Sequence, residues 1–214
     1  MSTLSGIDRA RLSVLLDLRH PLAYLALHPA IEFGASMGIE INWLPLTTPT
    51  LSPPTSVQPS DDRGTRHRHH RARAIAREIE IYSQQQGLVV CDYYRKNSAD
   101  AGNLGWLWVR ERYRDRLQPY LTELFRLYWS VQLEPSSADQ IATLLESVNA
   151  GGASFRKWCT DEGPSTAAAL ADELRGLGMF QVPTFVVDDE IFIGRQHLPM
   201  IRWVLDGRSG PIPI

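Results

Sequence analysis

The chain has 214 residues, of which 43% are apolar and 21% charged, with a formal net charge of −2 at pH 7. That length suits one domain with an elaboration, or one domain split by another, since domains run to about 100–200 residues. The near-neutral balance gives no global pull toward nucleic acid or membrane, so any function has to reside in a site.

The opening MSTLSGIDRARLSVLLDL sets Asp8 and Asp17 around a short apolar stretch and offers no small-residue cleavage site, so it does not read as a secretory signal. No run approaches the roughly 18 apolar residues that span a bilayer. A cytoplasmic protein without a membrane partner is the expectation. LSVLLDL then suits a buried strand, because Pro21 follows almost at once. From Pro21, PLAYLALHPAIEFGASMG fits a helix whose first turn tolerates the missing N–H, while Pro29 should kink or divide it. IEINWLPL alternates Ile39, Ile41 and Trp43 as a second strand stopped by Pro45, which completes a βαβ unit.

From Thr47 the text changes. TTPTLSPPTSVQPSDDRGT is rich in Pro, Ser, Thr and Asp and predicts a long flexible loop. A helical block follows, from RARAIAREIEIYSQQQG to PSTAAALADELRGLG, with Ser136, Ser137 and Ser165 as capping residues and Gly87, Gly151 and Gly178 as terminal glycines. The last zone is β again: QVPTFVVDDEIFIG gives strand, turn and strand, and RQHLPMIRWVLDG gives a closing helix. The boundaries are 10–48 and 179–214 for a discontinuous α/β domain, and 49–178 for the loop and helical insertion.

Several motifs carry competing chemistry. Cys91 and Cys159 lie far apart and form no C-x-x-C, which gives neither a redox dithiol nor a four-ligand metal site. RGTRHRHHRAR, residues 63–73, reads as a solvated basic loop running into a helix, with a clamp for carboxylates as the functional alternative. His67, His69 and His70 lack a carboxylate or cysteine at ligand spacing, so no metal site is expected. The run has no interleaved stacking aromatics, so no nucleic-acid partner is expected either. GASMG matches the nucleophile elbow G-x-S-x-G, but here a helix precedes and a strand follows, the reverse of what that motif needs. Trp106, Trp108, Tyr113, Phe125, Tyr128 and Trp129 recur at helical spacing and read as core, with a lid over an aromatic substrate as the alternative.

VPTFVVDDEIFIGRQHLPMIRWVL and DLRHPLAYLA together resemble the two ends of DsbA-family proteins in their glutathione-using branch, the 2-hydroxychromene-2-carboxylate isomerases and kappa-class glutathione transferases. The resemblance implies an α/β thioredoxin fold carrying an all-helical insertion domain. It implies that Pro183 follows a cis peptide bond and turns the backbone of Val182 toward a peptide-like ligand, with the N-terminus of the first helix opposite, favouring a thiolate. Glutathione would be the cosubstrate and a small molecule the substrate, in a chain that is commonly a homodimer in that branch.

Three positions depart from the pattern. The residue before the helix proline, usually serine against the glutathione sulfur, is His20; a neutral, hydrogen-bonding imidazole suits a helix N-terminus better than an imidazolium. Where the branch holds the γ-glutamyl ammonium with an acidic side chain, this chain has Gln196, followed by His197, which can meet a carboxylate. The usual Lys and Asn after the second strand are missing. The expected function is a glutathione-dependent isomerase or transferase of a hydrophobic aromatic electrophile, with His20 as the catalytic residue and Val182, Pro183, Gln196 and His197 binding substrate. A catalytically silent binding protein of the same fold is the alternative. Dithiol exchange is excluded at this helix end, which carries no cysteine.

Overall fold

The computed structural model describes residues 11–213, apart from Thr55, Val57 and Pro59. Leu12–Leu16 (β1) is buried at every position, because a central strand covered on both faces selects a continuous apolar run. The chain turns into a helix, Pro21–Met37 (α1), and returns as Ile41–Pro45 (β2), which pairs parallel to β1 with Leu12 opposite Ile41. This is the expected βαβ unit.

The segment resembling the family's ending forms a hairpin. Thr184–Val187 (β3) runs antiparallel to β1, and Glu190–Ile193 (β4) runs antiparallel to β3, giving the strand order β2-β1-β3-β4. Asp188 and Asp189 supply the two-residue turn with φ of 46° and 65°, the positive values that match a hairpin's twist. Leu15 faces Thr184 and Thr184 faces Ile193. The ends of β1, β2 and β4 and the start of β3 therefore share one edge of the sheet.

Pro29 does not divide α1: the helix runs unbroken from Pro21 to Met37. A proline leaves the carbonyl four residues earlier without its helical donor. Here that carbonyl belongs to Leu25, and Gln86 Nε2 donates to it at 3.2 Å from a neighbouring helix. That helix, Arg63–Gln86 (α2), is the second correction. It starts at the Asp62 cap, whose carboxylate accepts from Thr65 N at 3.0 Å, so the basic run 63–73 is helical rather than a loop.

The insertion continues as Asp100–Arg112 (α3), Arg114–Trp129 (α4), Ala138–Ser147 (α5), Gly152–Thr160 (α6) and Gly163–Gly176 (α7); after β4, a 3-10 turn at Arg195–His197 leads into Leu198–Leu205 (α8). Ser137 caps α5 through Gln140 N as expected, whereas Ser165 lies inside α7, capped at Glu162. Trp106, Phe125, Tyr128 and Trp129 are core, and Trp106 Nε1 donates to the Trp43 carbonyl at 3.2 Å, fastening α3 to β2. Tyr24 stacks on Phe125 and Trp129 with centroids 5.9 and 6.2 Å away, fastening α1 to α4. Ser36 of GASMG lies in the last turn of α1, where its hydroxyl donates to the Phe33 carbonyl at 2.8 Å, at the opposite end of the sheet from the β1 exit. No helix among the described residues is long and apolar enough to cross a membrane.

The Gln86 contact predicts an interaction measurable by denaturant unfolding. Gln86→Leu should cost about 1 kcal/mol in the native chain. It should cost less in a Pro29→Ala background, where the restored N–H serves Leu25; equal costs would mean that the side chain does not substitute for the missing donor.

Candidate active site at the carboxyl edge of the sheet

Asp17 closes β1 with a carboxylate only 2% exposed. Such a group has to find donors, and it finds them on two segments, the turn after β1 and the exit of β2. Arg19 reaches it through the backbone N (2.9 Å), Nε (3.2 Å) and Nη2 (3.0 Å), and Thr48 donates from its backbone N (2.7 Å) and Oγ1 (3.0 Å). The same Arg19 Nη2 donates to the Thr48 carbonyl at 2.8 Å, and Nη1 reaches the Asn97 carbonyl at 3.5 Å. The turn after β1, the exit of β2 and the approach to α3 are thus held by one ion pair.

That turn delivers His20 to the start of α1. His20 N donates to the Asp17 carbonyl at 3.0 Å, and the His20 carbonyl accepts from Ala23 N at 2.9 Å. Its extended backbone makes it the N-cap, but its side chain makes no capping bond. The ring is half-buried, with Nδ1 enclosed and without a partner among the described residues. Burial lowers its pKa below the ordinary 6.5; Asp17 opposes that fall and Arg19 adds to it. The imidazole is therefore neutral at pH 7.

On the neighbouring strand the Val182–Pro183 peptide bond is cis. The Pro183 carbonyl accepts from Gly194 N at 2.8 Å, and Thr184 Oγ1 donates to the Gln181 carbonyl at 2.7 Å, fixing the bend from both sides. Among the described residues no backbone hydrogen bond engages Val182. Arg195 stacks 3.5 Å above the Tyr82 ring, which brings α2 to the same edge. His197 is half-buried with its ring 5.9 Å from Phe192. Gln196 is exposed, and its amide folds back to donate to the Ile193 carbonyl at 3.1 Å.

The strand register thus brings His20, Val182, Pro183 and the turn carrying Gln196 and His197 to one edge of the sheet. Sequence reasoning missed Asp17, Arg19 and Thr48 as its scaffold. The available signal was a lone carboxylate ending an otherwise apolar strand. The basic and histidine run lies on α2, with His69 and His70 ring-to-ring at 5.5 Å, and no group of three or more metal-ligating side chains forms among the described residues. Beside the edge, between α3, α7 and the exit of β2, opens a cavity of about 730 Å³ lined by Leu46, Leu104, Leu107, Ala167 and Phe180 among others.

The DSBA-like thioredoxin domain, as a family, matches residues 21–206 of this sequence. The chain belongs to that family. Among solved structures it is similar to a 2-hydroxychromene-2-carboxylate isomerase, with a TM-score of 0.69 and 15% identity over 92% of this chain and 94% of that one. It is also similar to the cytosolic disulfide reductase DsbM from Pseudomonas aeruginosa with GSH, with a TM-score of 0.58 and 14% identity over 92% and 98%. At these identities the likeness establishes a thioredoxin fold with a helical insertion. No curated protein matches the sequence.

The DSBA-like edge yields two tests. Asp17→Ala strands the Arg19 guanidinium without its counter-charge and should cost about 3–5 kcal/mol in denaturant unfolding, far more than an exposed pair such as Arg175–Asp172. For His20, a folded pKa below 6.5 means that the unfolded chain binds the proton more tightly. Its contribution is complete above that value and is lost as pH falls through the folded pKa. His20→Asn should flatten the fall of stability on acidification below pH 6.5, and a slope identical to that of the native chain would contradict the buried neutral imidazole.

Proposed function

We propose that the chain is a glutathione-dependent isomerase or transferase of hydrophobic aromatic electrophiles, with His20 where the glutathione-using branch carries serine. The observation that carries this reading is a neutral, half-buried imidazole at the head of α1, on the edge that also holds Val182, whose backbone no hydrogen bond engages among the described residues. The positive end of a helix favours a lone pair on the enclosed Nδ1, which leaves the proton on Nε2. Nε2–H then donates a hydrogen bond to the glutathione sulfur, as a serine hydroxyl would, and the first turn of α1 adds positive potential that lowers the thiol pKa. Val182 N–H and C=O pair with the peptide part of glutathione as an added strand.

The thiolate attacks the electron-poor carbon of a conjugated double bond: a C–S bond forms, and the π pair moves to the carbonyl oxygen as an enolate. Rotation about the former double bond, return of the pair and loss of the thiolate complete an isomerisation. Protonation of the enolate instead leaves a thioether, the transferase outcome. The DsbM structure with GSH supports a glutathione site in this family, and the 2-hydroxychromene-2-carboxylate isomerase supports the reaction class. A second reading, a silent binding protein, draws on Gln196, whose uncharged amide is turned onto its own strand.

Thermal-shift titration with reduced glutathione tests the reading. Saturation to 100 times the dissociation constant stabilises a protein by about 2.7 kcal/mol, so a clear rise in midpoint is expected at millimolar ligand. No rise would end the glutathione reading. With turnover in hand, His20→Ala should lower kcat/KM on the order of 10²-fold at an unchanged unfolding midpoint. Binding without turnover of conjugated electrophiles would select the silent reading.

A further inference from the structure

The two lateral strands of the sheet are finished differently. β2 is covered: four of its five residues are buried, and Trp106 of α3 donates to the Trp43 carbonyl at 3.2 Å. β4 lies at the other side with no strand beyond it among the described residues. An open strand presents a row of unpaired N–H and C=O groups, and folds blunt it with lysine, proline or a bulge. β4 has none of these. Its register with β3 is continuous, and its one charge, Glu190, is paired with Arg208 at 2.8 Å. Its two isoleucines, Ile191 and Ile193, are 47% and 42% exposed.

The hairpin decides which backbone groups of β4 face outward. Gly194 N donates to the Pro183 carbonyl at 2.8 Å, so Gly194 bonds inward to β3. Along an antiparallel ladder the bonding direction alternates, which turns Phe192 inward as well and leaves the N–H and C=O of Ile191 and Ile193 facing out. Among the described residues no backbone bond outside the hairpin engages either isoleucine. The Ile193 carbonyl accepts from the exposed Gln196 amide at 3.1 Å, and its second lone pair leaves room for a further donor. The side chains alternate too: Ile191 and Ile193 stand on one face with Val186 and Thr184, and Phe192 on the other.

The occupant that fits this strand is a second copy of it. A two-fold axis through Phe192, normal to the sheet, sets each Ile191 opposite Ile193 of the second copy, so each outward N–H of the isoleucines meets an outward C=O and their side chains meet on one face. The same axis brings Asp189, three residues before Phe192, toward Arg195 of the second copy, three residues after it. Opposite charges then close both ends. Arg195 is held by its stack on Tyr82 at 3.5 Å, which leaves its N–H groups for a carboxylate. Moving the axis to Ile191 would set Ile193 against Asp189, and moving it to Ile193 would set Ile191 against Arg195. We infer that β4 is a self-pairing strand: two copies of this chain join antiparallel through residues 189–195 about Phe192, continuing the four-stranded sheet of one copy into the other. A strand this short buries less than the roughly 1,200 Å² at which standard interfaces begin, so the association is weak and concentration-dependent.

Sedimentation velocity of the full chain tests it. The native chain should pass from monomer to dimer between about 1 and 200 μM, the range open to an interface of less than standard size. Over the same range hydrogen exchange of the Ile191 and Ile193 amides should slow about 3-fold, as pairing protects them. Ile191→Lys combined with Ile193→Lys places like charges opposite one another and should leave a monomer at every concentration, with native circular dichroism. Ile191→Glu combined with Ile193→Glu should do the same alone, and an equimolar mixture of the two double variants should recover the dimer. A native chain that stays monomeric throughout, as it would if this strand served an extended segment of a different protein, overturns the inference. So does a dimer that persists in the lysine variant, unchanged exchange at the two amides, or a mixture that fails to associate. None of these measurements involves glutathione, so their outcome stands apart from the function proposed above.

Discussion

A carboxylate withdrawn from water at the end of a central strand is the constraint on which this molecule's candidate site depends. Asp17 is nearly inaccessible, and its satisfaction requires Arg19 and Thr48 together. A buried ion pair adds little net stability over a well-packed apolar pair, because desolvating both charges offsets their attraction. Its effect here is geometric. The donors come from the turn before α1 and the exit of β2, while the guanidinium also reaches the chain ahead of α3, so none of these segments can shift without stranding a charge. His20 sits one residue beyond Arg19 and inherits that fixed position.

At this edge the head of α1 carries histidine rather than cysteine. A cysteine at a helix N-terminus gains from the helix field because the thiolate is negative. Histidine gains nothing there by charging, and burial pushes it the same way, so the field and the desolvation agree on a neutral ring. A neutral ring donates or accepts a hydrogen bond but holds no electrons to exchange. The sulfur of any thiol reaction at this edge has to arrive with a ligand, because the head of α1 carries histidine in place of cysteine.

The helical insertion contributes more than bulk. Its aromatic core fastens it to the sheet at two places, through Trp106 on the Trp43 carbonyl and through the stack of Tyr24 on Phe125 and Trp129. With those contacts fixed, α3 packs on α7, and the small side chains of α7 leave a cavity beside the β2 exit. The alanines of α7 leave that space unfilled, since larger side chains at those positions would occupy it.

Much of this was legible in the sequence. Apolar runs bounded by prolines gave both parallel strands, the V-P-T-F run gave the proline bend and the hairpin, and the resemblance at the two ends gave the thioredoxin fold and the placement of His20, Val182 and Pro183. The strands and the hairpin are local, set by side-chain period and by the dihedral limits of proline and glycine, whereas the cis bond, the fold and the placement of the three residues came from the resemblance. The unbroken helix through Pro29, the helical state of residues 63–73, the inward fold of the Gln196 amide and the pairing of Asp17 with Thr48 were not legible. Each depends on where a distant or flexible partner settles: Gln86 lies 57 positions from Pro29, and Thr48 lies 31 from Asp17. Only chain closure decides which donor reaches which buried acceptor, and the enclosed state of the His20 ring follows from that closure.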